Sequence, residues 1–453
     1  MRHLTILVVL IISITGVLAQ SNEKNFSLDD CINYALEHSQ DIEVAKLEEY
    51  IAKAEIGEIL SEGLPQINAN VDLTNNFKVP TSFVPAEFFP GGEVGTFIPV
   101  QFSPQYGGLA GFQLTQLIFD GSYFVGLKAS KTFQELSQKE HVRTKIDVIE
   151  NVTKAYYNVL VSQEGMNLIS QNYGRLDTLL NNTKGMYQGG FAEKIDVNRI
   201  QVQFNNIAVQ LKNSKELFAL SYATLKFQMG MPVEESILLS ETIADIEFEN
   251  LDTSLENFDY SDRIEYSVLQ TNRELAKLDM KNNKVQYLPK LEAYGSLGAN
   301  TAGANMGDIF DFDQNWFGNG SFGFRMSIPI FDGLFKHYKV QQNKLKLRQI
   351  DQNFDKLENS IGLEVSASRV NYQNAILNLE AQRENMVLAE EVFTVSTIKY
   401  EAGVGSNLEV VDADTAYKEA QNNYYNALFD ALIAKVDFEK ATGKLYIIDY
   451  AQN

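Results

Sequence analysis

The chain has 453 residues and a formal charge of −21, with 38 Lys+Arg against 59 Asp+Glu. That balance argues against both nucleic acid and an anionic membrane surface as partners, since either needs a basic face. One cysteine, Cys31, excludes an intrachain disulfide, and His3, His38, His141 and His337 lie too far apart for metal-ligand spacing. No P-loop, nucleophile elbow or dinucleotide fingerprint is present. The expectation is no enzyme, no cofactor, no metal and no catalytic residue.

Arg2 precedes an apolar run over 4–18, and Val17 and Ala19 occupy small-residue positions before a cleavage site. This predicts a secretory signal peptide over 1–19. No other stretch of 18 uncharged apolar residues follows. An exported chain of this kind is either soluble or inserts as a β-barrel.

The remainder repeats. Gly111-Phe112-Gln113-Leu114 through Ile118-Phe119-Asp120-Gly121 returns as Gly323-Phe324-Arg325-Met326 through Ile330-Phe331-Asp332-Gly333, an offset of 212. Tyr187, Gly190, Val197 and Gly230 return as Tyr400, Gly403, Val410 and Gly443, an offset of 213. Leu64-Pro65 returns as Leu288-Pro289. Ordered recurrence of three blocks predicts a first repeat over 20–232, a connecting segment over 233–260 and a second repeat over 261–453. Each repeat holds a helix, two strands and a long helical hairpin.

Four segments alternate with period two. Ile67, Ala69, Val71 and Leu73 face one way, as do Ala110, Phe112, Leu114 and Ile118. Leu291, Ala293, Leu297 and Ala299 repeat the pattern, then Phe322, Phe324, Met326, Ile328 and Ile330. Each segment has one apolar and one polar face, at a length that suits a membrane strand. The charged Asp72, Glu292 and Arg325 all fall on the polar side; a basic residue on the lipid side would cost about 2–4 kcal/mol at the midplane. Polar, turn-rich loops over 79–107 and 301–320 separate the paired strands.

The rest is helical. No proline occurs over 122–187 or 334–398. Val197, Phe204, Leu211, Phe218 and Leu225 are seven apart, as are Val410, Tyr417, Tyr424, Ala431 and Phe438. Ala413, Ala420, Ala427, Ala434 and Ala441 follow the second series three positions on, the large-and-small seam of a close coiled coil. Pro65 and Pro289 stop helices before strands, and Asp120-Gly121 and Asp332-Gly333 supply turns back into helix.

These parts resemble the TolC-type outer-membrane efflux proteins over about residues 27–445. Ser27-Leu28-Asp29-Asp30 with Ala35-Leu36 looks like the family's first helix. Leu64-Pro65-Gln66-Ile67 and Leu288-Pro289-Lys290-Leu291 resemble its helix-to-strand joins, and Ile118-Phe119-Asp120-Gly121 with its copy resembles its strand-to-helix joins. Leu388-Ala389-Glu390-Glu391-Val392, leading to Tyr400-Glu401-Ala402-Gly403, resembles the approach to its periplasmic tip. The resemblance implies an α+β membrane protein that forms a homotrimer. Each chain would give four transmembrane strands to one 12-stranded barrel and long coiled-coil helices to a periplasmic α-barrel. It implies an exit duct in the bacterial outer membrane, for efflux or type I secretion. The implied partners are outer-membrane lipid, a periplasmic adaptor and an inner-membrane pump. The competing reading is a structural periplasmic coiled-coil or adaptor protein without a pore.

The family's acidic periplasmic gate maps onto Glu409 and Asp412, which at i,i+3 share a helix face. Ser406-x-x-Glu409 also reads as a capping box, so Glu409 has two readings; Asp412 lies too deep to cap. The family's inter-helix lock maps onto Asp196 and Tyr400, with Gly405 where the completing arginine would stand. Tyr400 also continues the seam of Tyr372, Leu379, Met386 and Phe393, and Asp196 occupies the place equivalent to Glu409.

Overall fold

A computed structural model describes residues 24–243, 246, 258–311, 313 and 316–446. The expected signal peptide over 1–19 lies outside them, as do 244–245 and 247–257 of the expected connecting segment.

In chain order, β1 (Lys24–Phe26) leads into α1 (Leu28–His38) and α2 (Gln40–Glu62). The strand β2 (Gln66–Asn75), a small hairpin of β3 (Ser82–Pro85) and β4 (Phe97–Val100), and β5 (Tyr106–Phe119) follow. Two long helices, α3 (Gly121–Gln188) and α4 (Lys194–Gln228), complete the first half. After β6 (Ile237–Leu239) the order returns as α5 (Ile264–Val285), β7 (Lys290–Gly303), β8 (Phe317–Ser327), α6 (Phe335–Glu401) and α7 (Asn407–Ala441).

The chain divides into two compact units. One comprises Leu47–Lys139 and Ser267–Asp355 and holds the strand-rich part. Its sheet runs β2-β5-β7-β8, antiparallel throughout. The expected alternation therefore becomes one continuous four-stranded surface as far as Leu117; beyond it a register shift puts Phe119, not the expected Ile118, opposite Leu291. At the exits from this sheet the Asp120 carboxylate accepts from the Ser122 backbone N–H at 2.7 Å, and Asp332 from that of Lys336 at 3.2 Å. These bonds satisfy donors that a starting helix leaves open.

The other unit comprises the residues up to Lys46, Glu140–Tyr266 and those from Lys356. Its core joins Val152, Tyr156 and Leu160 of α3 to Leu225 and Met229, to Leu432 and Val436 of α7, and to Cys31 and Ala35 of α1. Burial pushes the Cys31 thiol up to about 12, with Asp30 and Glu241 adding to the effect, so this sulfur packs as an apolar group. Parallel pairing of β1 with β6 closes the unit beside Phe26. The tip turns use Gly190 and Gly403, and α4 and α7 end on Gly230 and Gly443, all four at positive φ. A Cβ on Gly230 would stand 2.6 Å from the His38 carbonyl, so only glycine fits.

Most of the expected α7 seam is buried: Val410, Tyr417, Ala431 and Phe438, with Ala413, Ala427, Ala434 and Ala441 beside them, while Tyr424 and Ala420 are half-buried. In α4 the seam is displaced. Toward the tip Ile200 and Ile207 are buried while Val197 and Phe204 are half-buried; at the other end Leu225 keeps the expected position and is fully buried. The two rows lie three residues apart on one helix face. The compact isoleucines fill the interior, and the Phe204 ring sits beside it, 4.9 Å from that of Tyr173.

Candidate functional site: a two-faced sheet and two helical tips

Register aligns Asn68, Gln113, Ser296 and Ser321 in one row across all four strands. The Ser296 and Ser321 hydroxyls are 2.8 Å apart, and the Asn319 amide donates to Asn300 Oδ1 at 3.0 Å. Asp72, Glu292 and Arg325 share this polar face. Arg325 stands opposite Glu292, its guanidinium 5.2 Å from the Tyr294 ring centroid.

The opposite face carries Ile67, Phe112, Leu114, Leu297, Phe322 and Phe324. Ile67 and Leu297 are each 70% exposed and Phe322 is 91% exposed. Leaving such a side chain in water forgoes about 1.5–3 kcal/mol, and a contiguous patch of them marks a surface meant to be covered. Among the described residues no helix is long and apolar enough to cross a membrane. Among the described residues the outer strands β2 and β8 each have one unpaired edge.

At the first tip, α4 begins with Asp196 already engaged. Its carboxylate accepts from the Glu193 backbone N–H at 3.0 Å and lies 3.6 Å from Arg199. At the second tip the Ser406 hydroxyl accepts from the Glu409 backbone N–H at 3.2 Å. Only the serine half of the expected capping box forms, because the Glu409 carboxylate does not return to the Ser406 backbone. Glu409 and Asp412 are both exposed. Tyr400 is buried in the seam with Phe393, Val410 and Tyr417, and its hydroxyl has no hydrogen-bond partner among the described residues. Asp196 and Tyr400 are therefore not hydrogen-bonded to each other.

Sequence reading missed Arg175. Its guanidinium lies 4.8 Å from the Tyr417 ring and 5.3 Å from that of Phe393, and it donates to Asn172. Asn172 in turn donates to Gln421 at 2.7 Å. This buried chain ties α3 to α6 and α7, through residues that share no sequence motif. An ion network was also missed: Lys154 holds Glu150 at 2.7 Å and Asp437 at 2.6 Å, while Lys440 holds Glu150 and, at 3.1 Å, Asp147. Burial works to raise the Glu150 pKa, but its bonds to the two lysines outweigh it and hold the carboxyl below its usual range.

Residues 267–444 match the family model for outer membrane efflux proteins. The outer membrane protein TolC of Escherichia coli (strain K12) is 22% identical over 351 residues, spanning 74% of this chain and 69% of that protein. The Campylobacter jejuni CmeC outer membrane channel shares the fold, with a TM-score of 0.72 at 16% identity over 95% of this chain and 91% of that one. Together these likenesses support a TolC-type outer-membrane efflux protein. Alkaline protease secretion protein AprF of Pseudomonas aeruginosa is 19% identical over 71% of this chain and 66% of that protein. This TolC-type protein is thus an outer-membrane exit duct of the efflux or type I secretion kind, with a large periplasmic part. That conclusion displaces the pore-free coiled-coil reading. An efflux or secretion role of this kind implies partnership with an inner-membrane pump and an adaptor.

Proposed function

We propose that the duct is a homotrimer that passes its cargo without chemistry. β8 of one copy pairs with β2 of the next, and three copies give 12 antiparallel strands with the polar face inward. The observation that carries this is the sheet itself: apolar and exposed on one side, polar on the other, open at both edges. In lipid each unpaired backbone group costs several kcal/mol, so closure is required. The number three comes from the family.

In that trimer Glu409 and Asp412 form two rings of carboxylates that favour cations and obstruct anions. Two such charges about 6 Å apart repel by about 0.7 kcal/mol even at the dielectric of water, and by more in a narrow passage. Polyvalent cations would bridge the rings and block the pore. Asp196 is spent on its own helix start, so the gate rests on the second tip.

The test is single-channel recording of the full mature chain in planar bilayers. Discrete, cation-selective openings blocked by a trivalent cation are expected. Absence of current in protein shown to have inserted would overturn the duct, and anion-selective current would overturn the acidic rings.

A further inference from the structure

The charge of −21 is unevenly spread. From Gly121 to Gln134, where α3 leaves the sheet, the chain has Lys128 and Lys131 and no acid. From Gly333 to Ile350, where α6 leaves it, the chain has Lys336, Lys339, Lys344, Lys346 and Arg348 and again no acid. Helix stability does not ask for this. The positive end of the helix dipole favours acids in the first turn, and α1, α2, α4, α5 and α7 each have at least one there. The two helices that leave the sheet have none.

These bases continue an apolar surface. β8 ends at Ser327, short of the sequence alternation, and Ile328 and Ile330 follow directly after it, both exposed, Ile330 at 94%. On α6, Phe335, Tyr338, Lys339 and Lys346 follow at i, i+3, i+4 and i+11, one helix stripe. Phe335 and Tyr338 are 59% and 56% exposed, with the Lys339 ammonium 5.6 Å from the Phe335 ring centroid. On α3, Phe124, Lys128 and Lys131 follow at i, i+4 and i+7, and Phe124 is 56% exposed. Lys336 is engaged by Asp332 at 3.0 Å. The other four lysines of these two stripes make no ion pair among the described residues. An exposed aromatic followed by unpaired lysines, directly beyond a lipid-type surface, has the composition of a membrane–water interface.

We propose that the two strand-to-helix junctions form a collar that binds the anionic phosphodiester headgroups of phospholipid, through Lys128, Lys131, Lys339 and Lys346. The inference rests on the barrel reading, which puts the apolar sheet face in lipid. Lys128 and Lys339 lie seven and four residues into their helices, about 10 and 6 Å at 1.5 Å per residue. Lys131 and Lys346 lie ten and eleven residues in, about 15 and 16 Å. Lys339 thus stands within the headgroup layer, about 5–8 Å deep on each side of the hydrocarbon, and the three deeper lysines lean back toward it, since helical side chains tilt toward the helix N-terminus. Anionic lipid supplies the charge complement; zwitterionic lipid does not. The overall acidity argues against such a surface only if charge is averaged over the chain.

The experiment reconstitutes the full mature chain in vesicles of phosphatidylcholine, with or without a minority of phosphatidylglycerol. Lipids retained after detergent extraction are then counted by native mass spectrometry. Wild type is expected to retain phosphatidylglycerol in preference to phosphatidylcholine. The K128Q/K131Q/K339Q/K346Q variant should lose that preference by at least about tenfold. A K212Q/K215Q control on α4 should keep it, and inorganic phosphate should not displace the lipid. Equal retention of the two lipids by wild type, or unchanged preference in the quadruple variant, would overturn the collar while leaving the barrel intact. Displacement by inorganic phosphate would replace it with a simple anion site. Failure of wild type to enter either vesicle would bring down the barrel reading, and the collar with it.

Discussion

Asp196 and Arg199 open the second helix of the first hairpin; 213 residues later Glu409 and Asp412 occupy the same places. In the first tip the acid caps the Glu193 backbone and pairs with the arginine. In the second, Ser406 does the capping with its hydroxyl, which leaves Glu409 unengaged, and the arginine's place holds a second acid. The tip turns agree: Gly190 and Gly403 have φ of 78° and 74°. Duplication kept the backbone and let the electrostatics separate, so that one tip is self-neutralised and the other carries two free carboxylates. A cap supplied by serine is what allows the acid next to it to face elsewhere.

The largest effect should come from removing that asymmetry. Glu409→Gln with Asp412→Asn should raise the trivalent-cation concentration for half-block by at least about thirtyfold, since three mutual repulsions of about 0.7 kcal/mol are lost in each ring. Planar-bilayer titration reads this directly; a shift below about threefold would reduce both residues to helix-start chemistry.

Next comes the ion network away from both tips. Glu150→Gln should lower stability by about 1–2 kcal/mol, discounted for the part-exposed lysines. The sign of the pH dependence follows from the depressed carboxyl. The Glu150 contribution is complete above the usual glutamate value of 4.5 and is lost as pH falls through its lower folded value. Thermal melts from pH 6 to pH 3 should therefore fall more steeply for wild type than for the variant, and parallel curves would contradict the assignment.

Ser406→Ala should cost about 1 kcal/mol as a lost cap, seen as faster proteolysis at the second tip, with cation selectivity unchanged. Changed selectivity would mean that the cap and the gate cannot be separated. The smallest effect belongs to Asp196→Asn: a shift in block below about twofold, since its charge is already neutralised by Arg199. A larger shift would restore Asp196 to a gating role.

Much of this architecture was legible because long-range order repeats. Alternation in Ile67, Ala69, Val71 and Leu73 identified a strand, and proline-free runs of more than 60 residues identified helices. The parallel pairing of Lys24–Phe26 with Ile237–Leu239 was not legible, since three residues have no period and their partner is 213 positions away. Nor was the β3–β4 hairpin, whose Pro85 and Pro99 argue for loop; each sits in a two-stranded ribbon with an open edge, where a missing donor is tolerated. At the site, the spacing of Glu409 and Asp412 could be read, but not the engagement of Asp196, which depends on where Arg199 reaches. Arg175 stacks on Phe393 and Tyr417, more than 200 residues away in sequence. The basic junctions were visible as acid-free runs but were concealed by the net charge.

The long helices of the two halves are 68 and 67 residues, and the returning helices are 35 and 35. Such matching acts as a shared ruler. A heptad inserted into both arms of one hairpin would carry its tip about 10 Å past the other, and no local repacking could restore a common end. Lengthening or shortening of this protein must therefore happen twice, in step, or not at all. Matched indels across the two copies would be the trace such a constraint leaves in relatives that span periplasms of different depth.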